Sequence, residues 1–145
     1  MRKRGWLGLL ALVLCAGCNG NPTDPQTPTP TPTPGESAVL VLTAANFDAQ
    51  VLASAGAVMV DFYLPQCSHC QAMAPIVEQL AKDFAGRAVV GKVDVSVERG
   101  LLGRYAIEAV PTFVFFKGGK ELQRYVGEAP RSQLADRLEA AIGGS

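Results

Sequence analysis

Cysteine and histidine are scarce in this chain of 145 residues, which contains four and one of them, respectively. Cys15 and Cys18 lie close to the N-terminus, so only Cys67, Cys70 and His69 remain for the rest of the chain. A structural zinc site commonly requires four cysteine or histidine ligands at set spacings. The scarcity of these residues therefore argues against structural zinc.

An excess of positive charge is also missing, because thirteen lysine and arginine residues balance thirteen aspartate and glutamate residues. Loss of residues 1–17 would remove three basic residues and leave ten against thirteen acidic ones. No basic stripe is present that would contact phosphates. We therefore expect no nucleic-acid partner.

Residues 1–17 have the pattern of an export signal. Three basic residues at positions 2–4 precede an apolar run, Trp6 to Ala16, that is too short to span a bilayer as a helix. The run leads into LCAGC, which resembles the lipobox of bacterial lipoproteins, although Cys15 stands where leucine is usual. The resemblance implies that Cys18 is lipidated and anchors the exported protein to a membrane, facing the periplasm or the cell exterior. Ordinary secretion and an uncleaved anchor are the alternatives.

Residues 18–37 are predicted to form a tether, because alternating threonine and proline form neither a helix nor a packed core. Polyproline II geometry extends about 3.1 Å per residue, so such a segment holds a domain roughly 50 Å from its anchor. A passive stalk is the alternative interpretation. The folded domain is assigned to residues 38–145, which suffice for one core.

The domain alternates between strand and helix patterns. β-Branched and aromatic runs predict strands, and apolar residues spaced by three and four predict helices. Thr43 is the predicted N-cap of the first helix, and Gly118 and Gly119 form a predicted hairpin turn. The predicted strands are 39–42, 58–64, 88–95, 112–116 and 122–126, and the predicted helices follow Thr43 and Cys70 and occupy 101–105 and 134–142. This order predicts an α/β fold with a mixed sheet and helices on both faces.

Cys67 and Cys70 follow a strand of the buried type and open a helix. A disulfide between them would close a loop of only four residues, so it would remove little entropy from the unfolded chain. Cys67 is expected at the helix N-terminus, where the dipole and unpaired N–H groups stabilise a thiolate, and Cys70 one turn inside. The pattern favours a redox pair with an attacking and a resolving thiol.

Residues 38–142 contain four motifs: VDFYLPQCSHCQAMAPIVEQLA, KVDV, YAIEAVPTFVFFKGGK and YVG. Their order and spacing resemble those of the thioredoxin family. The segment FYLPQCSHC is most similar to the catalytic domains of protein disulfide isomerases, and the hairpin FFKGGKE to bacterial thioredoxins. The resemblance implies a thioredoxin fold, which is a three-layer sandwich with a central mixed β-sheet flanked by helices. It also implies thiol–disulfide oxidoreductase activity without a cofactor or a metal.

The resemblance assigns roles to individual residues. Cys67 matches the nucleophile that forms a mixed disulfide, and Cys70 the thiol that resolves it. Asp61 matches a buried acid that exchanges a proton with the resolving cysteine, although an ordinary charge at a strand edge is the alternative. Lys92 matches a lysine that pairs with this acid, or is a plain surface lysine. Pro111 matches a cis-proline that faces the disulfide.

The client is expected to contact three residues beside the cysteines. The backbone of Val110 would pair with an extended client segment, as an added strand. Gln66 and Ser68 flank Cys67, and both depart from the family, which usually has tryptophan at the first position and glycine or proline at the second. Their effect on the redox potential does not follow from the resemblance.

His69, between the two cysteines, has two interpretations. It is either a half-exposed bystander in a turn, or it lends a donor or a positive charge to the Cys67 thiolate and makes the disulfide more oxidising. The second interpretation favours an oxidant or isomerase that acts on the thiols and disulfides of client proteins and relies on a separate redox partner.

Three other functions remain open at this point. The first is a reductase supplied by a membrane electron donor, for example in cytochrome maturation. The second is a copper-binding lipoprotein that uses Cys67, Cys70 and His69 as ligands for a soft ion. The third is a binding module without catalysis, whose role would survive replacement of both cysteines.

Overall fold

The computed structural model describes residues 38–144, and the elements predicted for this part of the chain are all present. They are β1 (Leu40–Val41), a π-helix (Asp48–Leu52), β2 (Ala57–Tyr63), α1 (Ser68–Asp83), β3 (Ala88–Asp94), α2 (Arg99–Arg104), β4 (Thr112–Lys117), β5 (Lys120–Val126) and α3 (Arg131–Gly143). The predicted signal peptide, the tether and Cys18 lie outside the described residues. Within residues 38–144, no helix combines the length and the apolar character needed to cross a membrane.

The first helix differs from the prediction in its length and in its cap. It is a single π-helical segment of five residues that is flanked by Phe47 and has no side-chain cap, so the prediction of Thr43 as its N-cap is wrong. The backbone N–H of Thr43 instead donates to Oδ1 of Asn46 at 2.8 Å, and Nδ2 of Asn46 donates to the Val41 carbonyl at 3.0 Å. Asparagine side chains compete with the backbone in this way, and here Asn46 organises the turn before the helix.

The five strands form one mixed sheet in the order β1-β3-β2-β4-β5. β2 pairs in parallel with β3, which also pairs in parallel with β1, whereas β4 is antiparallel to β2 and to β5. β2 therefore occupies the centre, and six of its seven residues are buried. The hairpin between β4 and β5 turns at Gly118 and Gly119, whose φ angles of 53° and 75° suit glycine.

Helices cover both faces of this sheet, which confirms the predicted three-layer α/β sandwich. On the α1/α3 face, Ala57, Met59, Phe113 and Phe115 of the sheet pack with Met73, Val77, Leu80, Leu134 and Leu138 of α1 and α3. On the α2 face, Val58, Val60, Phe62, Val114 and Phe116 pack with Phe47, Val51 and Leu101. The alternation of neighbours along β2 between the two faces follows from the two-residue period of a strand.

Candidate active site

Cys67 is the N-cap of α1, at the edge of the sheet where β2 ends. Its backbone is extended (φ −81°, ψ 120°), and its Sγ accepts a hydrogen bond from the backbone N–H of Cys70 at 3.4 Å. The N–H of Cys67 donates to the Leu64 carbonyl at 3.1 Å, which ties the cap to the preceding loop. The sulfur thus occupies the place where a serine or aspartate oxygen commonly caps a helix.

The surroundings of Cys67 favour its thiolate. The Cys70 thiol, which donates a hydrogen bond to the Cys67 sulfur, is the largest cause that lowers the pKa of Cys67, and the backbone N–H groups of Cys70 and His69 add to it. Slight burial and the charge of Glu128 act in the opposite direction. Both cysteines are free thiols. Cys67 is therefore the thiol that ionises first, as a nucleophile should.

Cys70 has the opposite character. Only 4% of the residue is exposed, and this burial is the main cause that raises the pKa of its thiol to about 11. The negative charges of Cys67 and Asp61 raise that pKa further, whereas a hydrogen bond with the Leu64 backbone lowers it. Cys70 is thus a protonated thiol one turn inside the helix, which matches the predicted difference between the two cysteines.

Asp61 is a buried carboxyl group in the centre of β2. It lies on the α1/α3 face, two residues after Met59, and is 4% exposed. Burial raises its pKa to about 7, although the charge of Lys92, its register neighbour on β3, acts in the opposite direction. Within residues 38–144, its Oδ1 has no hydrogen-bond partner. The burial excludes the alternative of an ordinary charge at a strand edge, and the role in proton exchange remains a prediction.

The peptide bond between Val110 and Pro111 is cis, in agreement with the prediction. The Val110 carbonyl oxygen lies 4.0 Å from Sγ of Cys67, so this loop faces the attacking thiol. Two hydrogen bonds hold the loop: Oγ1 of Thr112 donates to the Ala109 carbonyl at 2.7 Å, and the N–H of Gly127 donates to the Pro111 carbonyl at 2.8 Å. Within the described part of the chain, the N–H of Val110 has no backbone partner.

The three polar residues that flank the cysteines are exposed. Gln66 and Ser68 lie beside Cys67 at the surface, where a client would contact them, and their role in binding remains a prediction. Nδ1 of His69 is 2.5 Å from Oε1 of Glu128. The imidazole therefore contacts a carboxylate, and only the backbone N–H of His69 acts on Cys67. The tuning role of His69 remains a prediction.

Two site residues were not predicted from the sequence. Nε2 of Gln71 donates to the Pro65 carbonyl at 2.8 Å and so braces the loop before Cys67. A long amide side chain in the first turn of a helix is a weak signal for such a contact. No sequence pattern predicts the contact of Glu128 with His69, because 59 positions separate the two residues and only the folded chain brings them together.

The arrangement is suited to thiol chemistry. It combines a partly exposed thiol with a lowered pKa, a buried thiol with a raised pKa and a buried acid with a raised pKa. Within residues 38–144, no group of three or more histidine, cysteine, aspartate or glutamate side chains is arranged to hold a metal ion.

The chain is similar to known proteins over the region that contains this site. The thioredoxin family model matches residues 38–140. A thioredoxin from Chlorobaculum thiosulfatiphilum is 37% identical over 101 residues, which cover 70% of this chain and 94% of the relative. Thioredoxin C-2 from Corynebacterium nephridii is 40% identical over 107 residues, which cover 73% of this chain and 99% of the relative. A chloroplastic M-type thioredoxin from Zea mays is 35% identical, with 74% of this chain and 64% of the relative covered.

Proposed function

The chain belongs to the thioredoxin family of thiol–disulfide oxidoreductases, and we propose that it oxidises or isomerises disulfides of client proteins outside the cytoplasm. We further propose that a lipid anchor tethers it to a membrane. The observation that carries the proposal is the contrast between the thiols. The pKa of Cys67 is lowered at a helix N-terminus, and that of Cys70 is raised by burial.

In the oxidising direction, a client thiolate attacks Sγ of Cys67 in the Cys67–Cys70 disulfide. The Cys67–Cys70 bond breaks, a bond between Cys67 and the client forms, and Cys70 leaves as a thiolate that takes up a proton. A second client thiolate then attacks the client sulfur of the mixed disulfide, and Cys67 leaves as a thiolate. The client loses two electrons, the dithiol gains them, and the separate redox partner removes them again.

In the isomerising direction, the Cys67 thiolate attacks a client disulfide and releases a client thiolate. Cys70 resolves the mixed disulfide if no client thiol does so first. Its proton must leave before it attacks, because the pKa of about 11 keeps Cys70 protonated at neutral pH. Asp61, with a pKa near 7, is the group on the same face of the sheet that is suited to accept this proton.

The loop at Val110 supplies a binding edge for an extended client segment. Its carbonyl oxygen faces the Cys67 sulfur, and its N–H has no backbone partner among the residues that the structure describes. An added strand needs a main-chain donor and acceptor of this kind, and main-chain hydrogen bonds do not depend on the side chains of the client. We therefore propose that Val110 aligns clients of varied sequence, with Gln66 and Ser68 at the rim.

Three observations bear on the direction of electron flow. A thiolate stabilised at Cys67 stabilises the reduced form of the pair and so makes the disulfide more oxidising, which supports the oxidant or isomerase. The charge of Glu128 opposes this effect, and the relatives are named thioredoxins. These two points favour the second candidate, a reductase supplied by a membrane electron donor.

The equilibrium reduction potential of the Cys67–Cys70 pair decides between the two directions. The full chain would be equilibrated with glutathione mixtures, trapped with an alkylating reagent and weighed by mass spectrometry. We expect a potential close to that of protein disulfide isomerase, about −180 mV. A potential near the thioredoxin value of about −270 mV would instead support the reductase.

The tether is tested separately. We expect the chain with Cys18 to fractionate with membranes and to incorporate a fatty-acid label, and the Cys18→Ser variant to do neither. Equal release of both forms into the soluble fraction would contradict the lipid anchor.

A further inference from the structure

The contact between His69 and Glu128 joins two segments that are distant in the sequence. His69 belongs to the first turn of α1, Glu128 follows β5, and Nδ1 and Oε1 are 2.5 Å apart. An ionised carboxylate only accepts hydrogen bonds, so Nδ1 carries the hydrogen and donates it, whether the ring is neutral or protonated. Glu128 therefore sets both the orientation and the tautomer of the imidazole.

The backbone around Glu128 is tied to the loop that faces Cys67. The N–H of Gly127 donates to the Pro111 carbonyl at 2.8 Å, and Oη of Tyr125 donates to the Glu128 carbonyl at 3.2 Å. Gly127 has a φ of +95°, a conformation that residues with a side chain rarely adopt. The carboxylate of Glu128 thus extends from a fixed backbone, although about half of the side chain is exposed.

Two consequences for Cys67 follow from this position. Nδ1 of His69 donates to Glu128, so this donor is not available to the Cys67 thiolate. In addition, the negative charge of Glu128 disfavours a second negative charge nearby, and it raises the pKa of Cys67 against the effect of the surrounding donors. Both effects make the reduced, thiolate form of the pair less stable.

We propose that Glu128 is a positioning residue that holds His69 by its Nδ1 and keeps the Cys67–Cys70 pair less oxidising than a C-S-H-C pair with an unrestrained histidine. The inference rests on the proposed oxidoreductase function and identifies how its site is tuned. A pair restrained in this way stays partly reduced in an oxidising compartment. That is the state in which Cys67 attacks incorrect client disulfides.

The test is a double-mutant cycle of Glu128→Ala and His69→Ala, read out as the equilibrium constant with glutathione. We expect Glu128→Ala to shift this constant about threefold towards the reduced form, which is about 14 mV towards a more oxidising potential at about 30 mV per tenfold change. In the His69→Ala background, the same substitution should have less than half of this effect. The pH profile of Cys67 alkylation should move to lower pH in Glu128→Ala.

Two further variants separate positioning from a general effect of charge. Glu128→Gln removes the charge and keeps an acceptor for Nδ1, so we expect a smaller shift than for Glu128→Ala. Glu139→Gln is the matched control, because Glu139 forms an ion pair of the same 2.5 Å length with Arg87 and has a similar exposure of 48%. We expect Glu139→Gln to leave the potential and the alkylation profile unchanged.

The proposal is overturned if Glu128→Ala leaves the potential unchanged, if Glu139→Gln shifts it equally, or if the shift is the same without His69. In the last case Glu128 would act through its charge alone. Urea unfolding monitors the stability of each variant. If Glu128→Ala does not fold, the reduction potential of Glu128→Gln is measured in its place. A wild-type pair that equilibrates with glutathione but exchanges with no protein disulfide would contradict the proposed function and leave this inference intact.

Discussion

The two faces of β2 differ in their chemistry, although they belong to one strand of seven residues. The α2 face receives Val58, Val60 and Phe62, which are all apolar. The α1/α3 face receives Ala57 and Met59, and the next residue on this face is Asp61, which lies close enough to Cys70 for its charge to raise the pKa of that thiol. The buried acid is thus confined to the face that carries the thiols.

Aromatic rings fill much of the α2 face. The ring of Tyr105 lies 5.1 Å from Phe47, 5.9 Å from Phe62 and 5.6 Å from Phe116, between centroids. Such tilted and edge-to-face pairs contribute about 0.5–1.5 kcal/mol each beyond the area that they bury. This face therefore stabilises the fold without a thiol or a carboxyl group of the candidate active site.

The difference shows how a small domain accommodates an unfavourable group. A buried carboxyl whose Oδ1 has no hydrogen-bond partner in the described part of the chain is costly, and here it lies close enough to Cys70 to raise the pKa of that thiol. The opposite face supplies the compensating apolar packing. Substitutions on the α2 face should therefore change stability alone, and those on the α1/α3 face should also change the titration of the thiols.

The largest effect is expected from the cysteines themselves. Cys67→Ser should abolish disulfide exchange, with a loss on the order of 1,000-fold or more, because the remaining thiol, Cys70, is buried and its pKa of about 11 keeps it protonated at neutral pH. In Cys70→Ser, Cys67 should still attack a client disulfide. The mixed disulfide should then accumulate, because the resolving thiol is absent, and mass spectrometry detects it. The fold should be retained in both variants, as monitored by circular dichroism. If Cys67→Ser exchanged disulfides at a rate comparable to that of the wild type, the assignment of Cys67 as the attacking thiol would be wrong.

A matched pair of phenylalanines on β4 tests the comparison most directly. Phe113 and Phe116 are both fully buried, but Phe113 lies opposite Asp61 on the α1/α3 face and Phe116 on the α2 face. Each substitution by alanine should lower the free energy of unfolding by about 3–5 kcal/mol, because it leaves a cavity. Only Phe113→Ala should let water approach Asp61 and move the pH profile of thiol alkylation. Equal pH profiles of thiol alkylation in the two variants would contradict the proposed difference between the two faces.

Asp61→Asn should stabilise the protein in a manner that depends on pH. The ordinary pKa of an aspartate is 3.8, and that of Asp61 is about 7 in the folded state, so between these values the native state holds a proton that the unfolded chain has released. The stability of the wild type therefore falls as the pH rises through this window and levels off above about 7. The advantage of the variant should grow by about 3 kcal/mol between pH 5 and pH 8, at 1.36 kcal/mol per unit of pKa.

Urea unfolding under reducing conditions at the two pH values measures this difference. Asp83→Asn is the control, because Arg131 lowers the pKa of the exposed Asp83 and places its titration below this window. We expect the stability difference between Asp83→Asn and the wild type to be the same at pH 5 and pH 8. A constant advantage of Asp61→Asn across the window would mean that Asp61 is ionised in the native state throughout.

Much of the fold could be predicted because its signals are local. The β-branched and aromatic run of β2, the apolar stripe of α1 and the Gly118–Gly119 turn each follow from a few neighbouring residues. The start of the first helix could not be predicted, because Phe47 flanks the helix without a side-chain cap and Asn46 organises the turn before it. The prediction of Thr43 failed because its residue type suits a cap wherever a helix begins, and the local sequence does not fix that position.

Part of the candidate site could likewise be predicted from the sequence, and part could not. Cys67, Cys70, Asp61 and Pro111 could be assigned because their motifs resemble a family at a fixed spacing. The pairing of His69 with Glu128 depends on β5 ending beside the first turn of α1, which no local pattern encodes. Likewise, the pKa of Asp61 depends on its burial, a property of the assembled core.

The smallest effect concerns the turn between β4 and β5, far along the chain from the cysteines. A Cβ on Gly119 would lie 2.3 Å from the carbonyl oxygen of Leu52, whereas a Cβ on Gly118 would meet nothing within 4 Å. Both residues have a positive φ, so alanine is strained at each by about 1 kcal/mol. Gly119→Ala should cost about 2 kcal/mol because Leu52 must also move, and Gly118→Ala about half of that. Since the backbone contact is on the α2 side, neither variant should alter the reduction potential. A shifted potential in Gly119→Ala would show that the two faces are coupled through the hairpin.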